Sequence, residues 1–365
     1  MNTLNRHAYP TRLLPFLCAV GLLLLSACTA TPNPTTPTAA APPVAPSTAE
    51  ASTAAPSQPS KLEEIPLDEA RRIAAGERDA AIPPTPAIRT GQFENGLTYY
   101  VRAHRRPEQR AELRLVVNAG SILEDEDQLG LAHFVEHMAF NGTRNFEKQE
   151  LVDYLESIGL AFGPDLNAYT SFDETVYLLK IPTDDDAIVE TAFQILEDWA
   201  HGISFDEAEI DKERGVVIEE WRQGRGAGAR LRDAQFPVIL KDARYAERLP
   251  IGTPESVENA TYEAVRRFYE EWYRPDLMAV VAVGDFDSDR IEGLIRKHFA
   301  KIPAAENPRE REVFGVPGHE ETLFSINTDA ELSGTTVSVH YKHPTTPQGT
   351  FGSYRDSLVE SLYHG

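Results

Sequence analysis

The chain has 365 residues, 41% of them hydrophobic, so it is long enough and apolar enough to bury the cores of two ordinary domains. Its 35 basic and 57 acidic residues give a net charge of −22, which argues against nucleic-acid binding because phosphate contacts need clustered lysine and arginine. The two cysteines, Cys18 and Cys28, lie near the N-terminus, so any metal further along must be held by His, Asp or Glu.

Residues 1–27 are typical of a signal peptide. They contain two arginines, no acidic residue and an apolar stretch, Leu13–Leu25, that is too short for a transmembrane helix. The stretch ends in Leu25-Ser26-Ala27-Cys28, which resembles the lipobox of bacterial lipoproteins, in which the cysteine is acylated after cleavage. The alternative is an ordinary signal peptide with an incidental cysteine. The residue after Cys28 is Thr29 and not Asp, so the resemblance points to the outer rather than the inner membrane. We therefore expect Cys28 to anchor the protein by lipid on the periplasmic side of the Gram-negative outer membrane.

The next segment, residues 28–60, is rich in Pro, Ala and Thr, and Glu50 is its one charged residue. Such a composition cannot bury a core, so we expect a disordered tether. A charged lead-in segment, residues 61–87, joins the tether to the body. This arrangement predicts a folded body in the periplasm, held away from the membrane surface.

Regular structure is predicted from about residue 88 to residue 310. The Asn95-Gly96 turn indicates a pair of strands around Phe93–Val101, and hairpins and helices then follow in a mixed order that is typical of an α+β domain. The other strands are expected at Ala111–Val117, Leu166–Ile181 (interrupted at Ser171-Phe172-Asp173) and Met278–Val283, and the helices at Gly130–Phe140, Phe146–Ile158, Asp185–Ala200, Asp206–Arg232 and Arg290–Ile302. Two further strands, Thr322–Asn327 and Thr335–Tyr341, are expected to open a new unit after a linker.

The Gly130–Phe140 helix contains the sequence His133-Phe134-Val135-Glu136-His137. Residues four apart share a helical face, so both imidazoles can reach one point, and Glu136 lies beside that point. Two neutral imidazoles and a carboxylate are what a catalytic zinc needs, as two ligands and a base for water; this H-x-x-E-H order inverts the commoner H-E-x-x-H. The alternative, two surface histidines with a salt-bridging glutamate, is disfavoured because the helix is apolar nearly all round and is therefore predicted to be buried.

A third protein ligand must come from another element, and its candidates cluster in Asp211–Trp221. Glu213 and Glu220 are seven residues apart and share one face of a helix, whereas Glu219 points about 100° away from Glu220. Taken alone, this stretch favours a solvated charged helix. The valines between the two glutamates indicate that part of the helix is packed.

Four segments in this order resemble the pitrilysin family of inverted-zincin metallopeptidases, which includes insulin-degrading enzyme and mitochondrial processing peptidase. The segments are Gly120–Glu124, Gly130–Thr143, Asn167–Ser171 and Glu213–Glu220. The resemblance covers roughly residues 90–310 and the start of a second family domain. It implies a mixed, largely antiparallel sheet packed against helices in a catalytic domain, residues 88–310, followed by the incomplete beginning of a second similar domain, residues 318–365.

The resemblance also implies roles for individual residues. His133, His137 and Glu220 would bind one zinc ion per catalytic domain, with Glu213 as the auxiliary glutamate, and Glu136 would take the proton from the attacking water. Asn167, Ala168 and Tyr169 resemble the family's exposed strand edge, which pairs with the substrate backbone. Without the zinc motif, a plain hairpin strand would be the preferred interpretation of that segment.

The sequence therefore predicts a zinc-dependent metalloendopeptidase that hydrolyses peptides or unfolded polypeptides. The alternative is a non-catalytic or partner-dependent binding subunit of a peptidase-like complex, which is disfavoured because all four site positions are filled. Family members close at least two domains around the substrate. We therefore expect residues 1–365 alone to bind zinc but to cleave peptides poorly, and to need C-terminal domains or a partner chain for robust turnover.

Overall fold

The structure, a computed structural model, describes residues 78–161, 163–345 and 348–364. The predicted signal peptide, the Cys28 anchor, the tether and most of the lead-in segment lie outside the described residues. Within the described ranges, no helix is both long enough and apolar enough to cross a membrane. Residues 84–343 form one compact unit, and residues 78–83 belong with the chain from residue 344 onward to another.

The larger unit is built on a six-stranded sheet with the strand order β1-β2-β6-β3-β5-β4. Only the β2/β6 pair is parallel, and the other four neighbouring pairs are antiparallel. On β3, every second residue is buried, as expected for a strand with one face on a core. The strands are β1 Arg89–Gln92, β2 Thr98–Ala103, β3 Arg110–Val117, β4 Leu166–Thr170, β5 Thr175–Pro182 and β6 Met278–Gly284.

Eight described α-helices accompany this sheet, and several contribute a buried apolar stripe to one core with it. The α+β class and the largely antiparallel sheet packed against helices are therefore confirmed. The helices are α1 Leu131–Met138, α2 Lys148–Ser157, α3 Asp186–His201, α4 Glu207–Gln223, α5 Ala227–Ile239, α6 Pro254–Asn259, α7 Tyr262–Trp272 and α8 Ser288–Phe299.

Helix α1, which carries both motif histidines, is held at its two ends by buried groups. At its start, the two oxygens of the fully buried Glu124 carboxyl group accept hydrogen bonds from the N–H groups of Gly130 (3.0 Å) and Ala132 (2.9 Å). They satisfy amides that lack intrahelical partners, while complete burial raises the pKa of Glu124 to about 8. Beyond its end, the indole N–H of Trp199 donates to the Ala139 carbonyl at 3.0 Å. These contacts fix the helix position, which the predicted site requires.

Replacing Gly130 with alanine is expected to destabilise the protein by about 1–3 kcal/mol. Gly130 has φ +88°, and a residue with a side chain is strained in this left-handed region. A Cβ atom there would also lie 2.9 Å from the Cα of Gly252, where two backbone segments approach closely. Gly228 in α5 is the matched control, since a Cβ would meet nothing within 4 Å. Gly228→Ala should leave the denaturant midpoint unchanged or raised, and equal midpoints for the two variants would contradict this account.

The prediction of one helix over Asp206–Arg232 is wrong, because the segment forms two helices. Helix α4 ends at Gln223, and α5 begins at Ala227. Gly224 caps α4, with its N–H directed to the carbonyls of Glu220 and Arg222, and Gly226 is the N-cap of α5. Two glycines so close together make continuation of the helix costly, at about 1 kcal/mol each relative to alanine.

The strands predicted at Thr322–Asn327 and Thr335–Tyr341 do not form in the described residues. Both segments are irregular, and their alternating apolar side chains are exposed, with Ile326 at 90% and Val337 at 88%. An alternating pattern gives a strand only when a neighbouring strand takes up its backbone hydrogen bonds. No described strand pairs with these two segments, so the local pattern was insufficient.

The smaller unit contains helix α9, Phe351–His364. Its start is stabilised by Thr350 and Ser353, since Thr350 N–H donates to Ser353 Oγ and Ser353 N–H donates to Thr350 Oγ1, both at 3.1 Å. Within this unit, Arg78 pairs with Asp356 at 2.5 Å. Five large apolar residues of α9 are exposed, namely Tyr354, Leu358, Val359, Leu362 and Tyr363.

Candidate functional site

Three side-chain atoms from two helices converge on one point. His133 Nε2 lies 3.2 Å from His137 Nε2, and Glu220 Oε2 on α4 lies 3.6 Å and 3.3 Å from these two nitrogens. The i, i+4 spacing on α1 aligns the imidazoles, and the contact of α4 with α1 brings the carboxylate to them. His133, His137 and Glu220 are thus the residues in the described chain that could hold a metal ion together.

The shape of this donor set fits zinc. Tetrahedral zinc with bonds of about 2.0–2.1 Å to nitrogen and oxygen requires donor atoms about 3.3 Å apart, and the three distances here are 3.2, 3.3 and 3.6 Å. Two imidazole nitrogens facing each other at such a distance need a proton or a cation between their lone pairs. His133 Nδ1 is buried without a partner among the described residues. The other ring nitrogen, Nε2, is directed at the shared point, since it lies 3.2 Å from His137 Nε2 and 3.6 Å from Glu220 Oε2.

The pKa values of the two histidines are shifted in opposite directions by their surroundings. Burial, together with the nearby positive charge of His137, lowers the pKa of His133 to about 4, so this imidazole is neutral. Burial also lowers the pKa of His137, but the hydrogen bonds with Glu213 and Glu220 outweigh burial and raise this pKa to about 10. Two carboxylates thus favour positive charge at the convergence point. Negative charge beside the two imidazoles would also attract a divalent cation to this point.

Glu136 is buried beside this point, and the Thr170 hydroxyl donates a 2.6 Å hydrogen bond to its Oε2. Burial raises the pKa of Glu136 to about 7, against the hydrogen bond from Thr170 and the charge of His137, which lower it. A carboxyl group that titrates near neutral pH is well suited to accept and return a proton. Because Thr170 holds one oxygen, the other oxygen remains available.

Glu213 and Glu219, the other two candidates on α4, have different surroundings. Glu213 is buried, and its Oε1 accepts a 2.8 Å hydrogen bond from His137 Nδ1, which directs His137 Nε2 towards the shared point. Glu219 is exposed and pairs with Arg222 at 3.5 Å on the outer face of α4. The structure therefore places Glu213 behind His137 and Glu220 at the convergence point, and it directs Glu219 away.

Strand β4, which carries Asn167, Ala168 and Tyr169, is the edge strand of the sheet next to the site. Ser171 N–H donates to the Glu174 carbonyl and Lys180 N–H donates to the Asp165 carbonyl, so in the alternating antiparallel pattern Ala168 directs its backbone groups away from β5. The outward N–H of Ala168 is met by the Asn167 side chain, whose Oδ1 accepts from it at 2.9 Å. The last residue of this edge strand is Thr170, the partner of Glu136.

Two polar residues of this site were not found from the sequence. Thr170 contacts Glu136 over 34 positions and Asn141 contacts Glu213 over 72 positions, and neither contact leaves a local pattern. The one available signal was position, since Asn141 lies within the Gly130–Thr143 segment and Thr170 within the Asn167–Ser171 segment of the metallopeptidase resemblance.

A buried helix that presents two histidines and a glutamate to a carboxylate of a second helix is the arrangement of an inverted-zincin metallopeptidase. Residues 99–239 match the family model described as insulinase, peptidase family M16, and residues 259–362 match the model described as peptidase M16 inactive domain. The chain belongs to the M16 peptidase family. The second model is partly covered, and its matched region includes β6, which is hydrogen-bonded within the same sheet as β1–β5.

Curated relatives and solved structures agree with this assignment. The chain is 42% identical to the "Zinc protease PQQL-like" of Arabidopsis thaliana over 75% of this chain and 29% of that protein. It is 37% identical to the "Probable zinc protease PqqL" of Escherichia coli over 73% of this chain and 28% of that protein. The crystal structure of the first half of the periplasmic protease PqqL from Escherichia coli matches with a TM-score of 0.63 and 39% identity, over 66% of this chain and 51% of that one. The chain thus spans less than a third of the length of these curated relatives.

Proposed function

We propose that this chain is the catalytic part of a zinc-dependent metalloendopeptidase that hydrolyses peptides or unfolded polypeptides. Membership of the M16 family and the relatives named zinc proteases support this proposal. The observation that carries it is the convergence of His133 Nε2, His137 Nε2 and Glu220 Oε2 within 3.6 Å of one another, beside the buried carboxyl group of Glu136.

In this mechanism, His133, His137 and Glu220 would hold one zinc ion, and Glu213 would keep His137 oriented. Zinc, when bound, supplies Lewis-acid chemistry that polarises a peptide carbonyl and makes water more acidic. Glu136 accepts the proton of the attacking water through the oxygen that Thr170 does not hold, and then returns a proton to the leaving amine. Thr170 restricts the carboxyl group to one orientation.

The substrate would lie along β4 as an additional strand. The outward backbone groups of Ala168 are suited to pair with an extended peptide, and Asn167 and Tyr169 flank this position. The Asn167 side chain would have to release the N–H of Ala168 for this pairing. Main-chain pairing selects extended polypeptides rather than particular side chains, which favours flexible or unfolded substrates.

We place this activity in the periplasm. The Escherichia coli relative is described as a periplasmic protease, and the N-terminal sequence predicts export followed by lipid anchoring at Cys28 to the outer membrane. The anchor and the tether belong to the segment outside the described residues. Radiolabelled palmitate should enter the wild-type chain expressed in a Gram-negative host but not a Cys28→Ala variant, and equal labelling would contradict the anchor.

Removal and return of zinc test the proposed activity. The purified chain, stripped with a chelator, should not cleave β-casein, and one equivalent of zinc should restore slow cleavage that mass spectrometry detects. We expect slow turnover because the chain spans less than a third of its curated relatives. Cleavage that persists without metal would contradict the mechanism. Full zinc binding with no cleavage at all would instead favour a binding subunit that depends on a partner.

A further inference from the structure

Each carboxyl oxygen of Glu213, the glutamate behind His137, accepts one hydrogen bond, one from an imidazole and the other from a side-chain amide. Its Oε1 accepts from His137 Nδ1 at 2.8 Å, and its Oε2 accepts from the side-chain amide of Asn141 at 2.8 Å. In the described part of the chain, no lysine or arginine forms an ion pair with Glu213. Asn141 satisfies the oxygen of this buried group that His137 does not use, so both oxygens of Glu213 have a hydrogen-bond partner.

Asn141 is itself fixed from several directions. It is 6% exposed, its backbone N–H donates to the Met138 carbonyl at 3.0 Å, and its side-chain Nδ2 also donates to the His137 carbonyl at 3.0 Å. The loop that follows is anchored because the Thr143 hydroxyl donates to the buried Asp198 carboxylate at 2.7 Å. Asn141 thus links the backbone of a candidate metal ligand to the carboxylate that orients the same ligand.

We propose that Asn141 is a positioning residue for the metal centre, acting through Glu213 on His137. Its amide selects the orientation of Glu213 in which Oε1 faces His137 Nδ1, and this contact holds His137 Nε2 towards the shared point. Hydrogen bonds to the outer nitrogen of a metal-binding histidine fix its ring and raise its basicity. This inference rests on the proposed zinc centre and adds a residue to it.

A simpler role for Asn141 would be to end helix α1, since its amide donates to the carbonyl four residues earlier. Asn259 provides the matched control for that role. Its side-chain Nδ2 makes the corresponding bond to the Glu255 carbonyl at 2.8 Å at the end of α6, where Asn259 is exposed and forms no described hydrogen bond to a candidate ligand. A pure helix-end effect should appear in both asparagines as a loss of stability, without a specific effect on zinc.

The test measures zinc affinity by competition with a chromophoric chelator on the full chain. Asn141→Leu is expected to weaken zinc binding about 10-fold, within the range of about 10–100-fold for outer-shell changes. Asn141→Asp should weaken it further, because two carboxylates would then face each other. Asn259→Leu should leave zinc affinity unchanged. Thermal unfolding in excess chelator identifies the variants that retain the wild-type fold.

Dependence on Glu213 is decided by repeating Asn141→Leu in a Glu213→Gln background. If Asn141 acts through Glu213, adding Asn141→Leu to the Glu213→Gln variant should change its zinc affinity by less than about 2-fold. An equal 10-fold loss in both backgrounds would overturn the inference, as would wild-type affinity of folded Asn141→Leu and Asn141→Asp variants. A wild-type chain that binds no zinc would contradict the proposed function itself, so the two failures are distinguishable.

Discussion

Glu136→Gln is expected to lower the rate of peptide hydrolysis by about 100-fold to 10,000-fold, the usual contribution of a general base. Glutamine has nearly the same shape and can still accept the hydrogen bond from Thr170, which lies 2.6 Å from Glu136 Oε2. It cannot accept the proton of the attacking water. The zinc content should stay at the wild-type value, because Glu136 is not among the three convergent donors.

The control for this variant is Glu219→Gln, which alters an exposed carboxylate that pairs with Arg222. It should cleave β-casein at the wild-type rate. Both proteins should show the same far-ultraviolet circular dichroism and the same zinc stoichiometry. An unchanged rate in Glu136→Gln at full zinc occupancy would show that another group accepts the proton and would remove Glu136 from the mechanism.

Glu220→Ala is expected to weaken zinc binding by more than about 100-fold, beyond the 10–100-fold loss typical of outer-shell changes, because it removes a candidate ligand rather than a supporting group. The side chain of Glu220 is 51% exposed, so truncating it should have little effect on the fold. Zinc affinity, measured by chelator competition, would therefore fall without a comparable fall in the melting temperature of the metal-free chain.

Glu219→Ala is the closest match to this variant, since the adjacent side chain is 54% exposed and lies on the same helix. Its zinc affinity should equal that of the wild type. If Glu219→Ala lost zinc and Glu220→Ala retained it, the third ligand would be Glu219, and the assignment of Glu220 would be wrong. Equal losses would indicate a general effect of the charge on α4 rather than coordination.

The spacing of His133, Glu136 and His137 was enough to predict their proximity, because a single helix of apolar residues fixes their relative positions. The third member of the set could not be derived in this way. Helical geometry placed Glu213 and Glu220 on one face and left the choice between them to the family resemblance. The packing of α4 against α1 now separates them, with Glu213 at His137 Nδ1 and Glu220 at the two Nε2 atoms.

Contacts between distant parts of the chain could not be predicted from local patterns. Thr170 reaches Glu136 only because β4 forms the edge beside α1, and Glu124 reaches the first amides of α1 only through a turn closed by Gly130. Neither Thr170 nor Glu124 belongs to a local pattern that indicates its partner. Their roles depend on tertiary packing, which a reading of periodicity does not contain.

Two local predictions failed for related reasons. The prediction of one helix over residues 206–232 did not take account of Gly224 and Gly226, which end one helix and start the next. The strands expected at 322–327 and 335–341 had the correct alternation, but strand formation depends on a partner that the described residues do not supply. In both cases the local sequence pattern was present and a second requirement was not met.

Zinc-edge anomalous diffraction from crystals of the zinc-loaded chain tests the central claim most directly. The account predicts one strong peak per chain at about 2.0–2.2 Å from His133 Nε2, His137 Nε2 and an oxygen of Glu220, with Glu136 beside it but not bonded to it. A peak elsewhere on the chain, or no peak in crystals grown from protein with one zinc per molecule, would contradict the assignment of these residues as the metal centre.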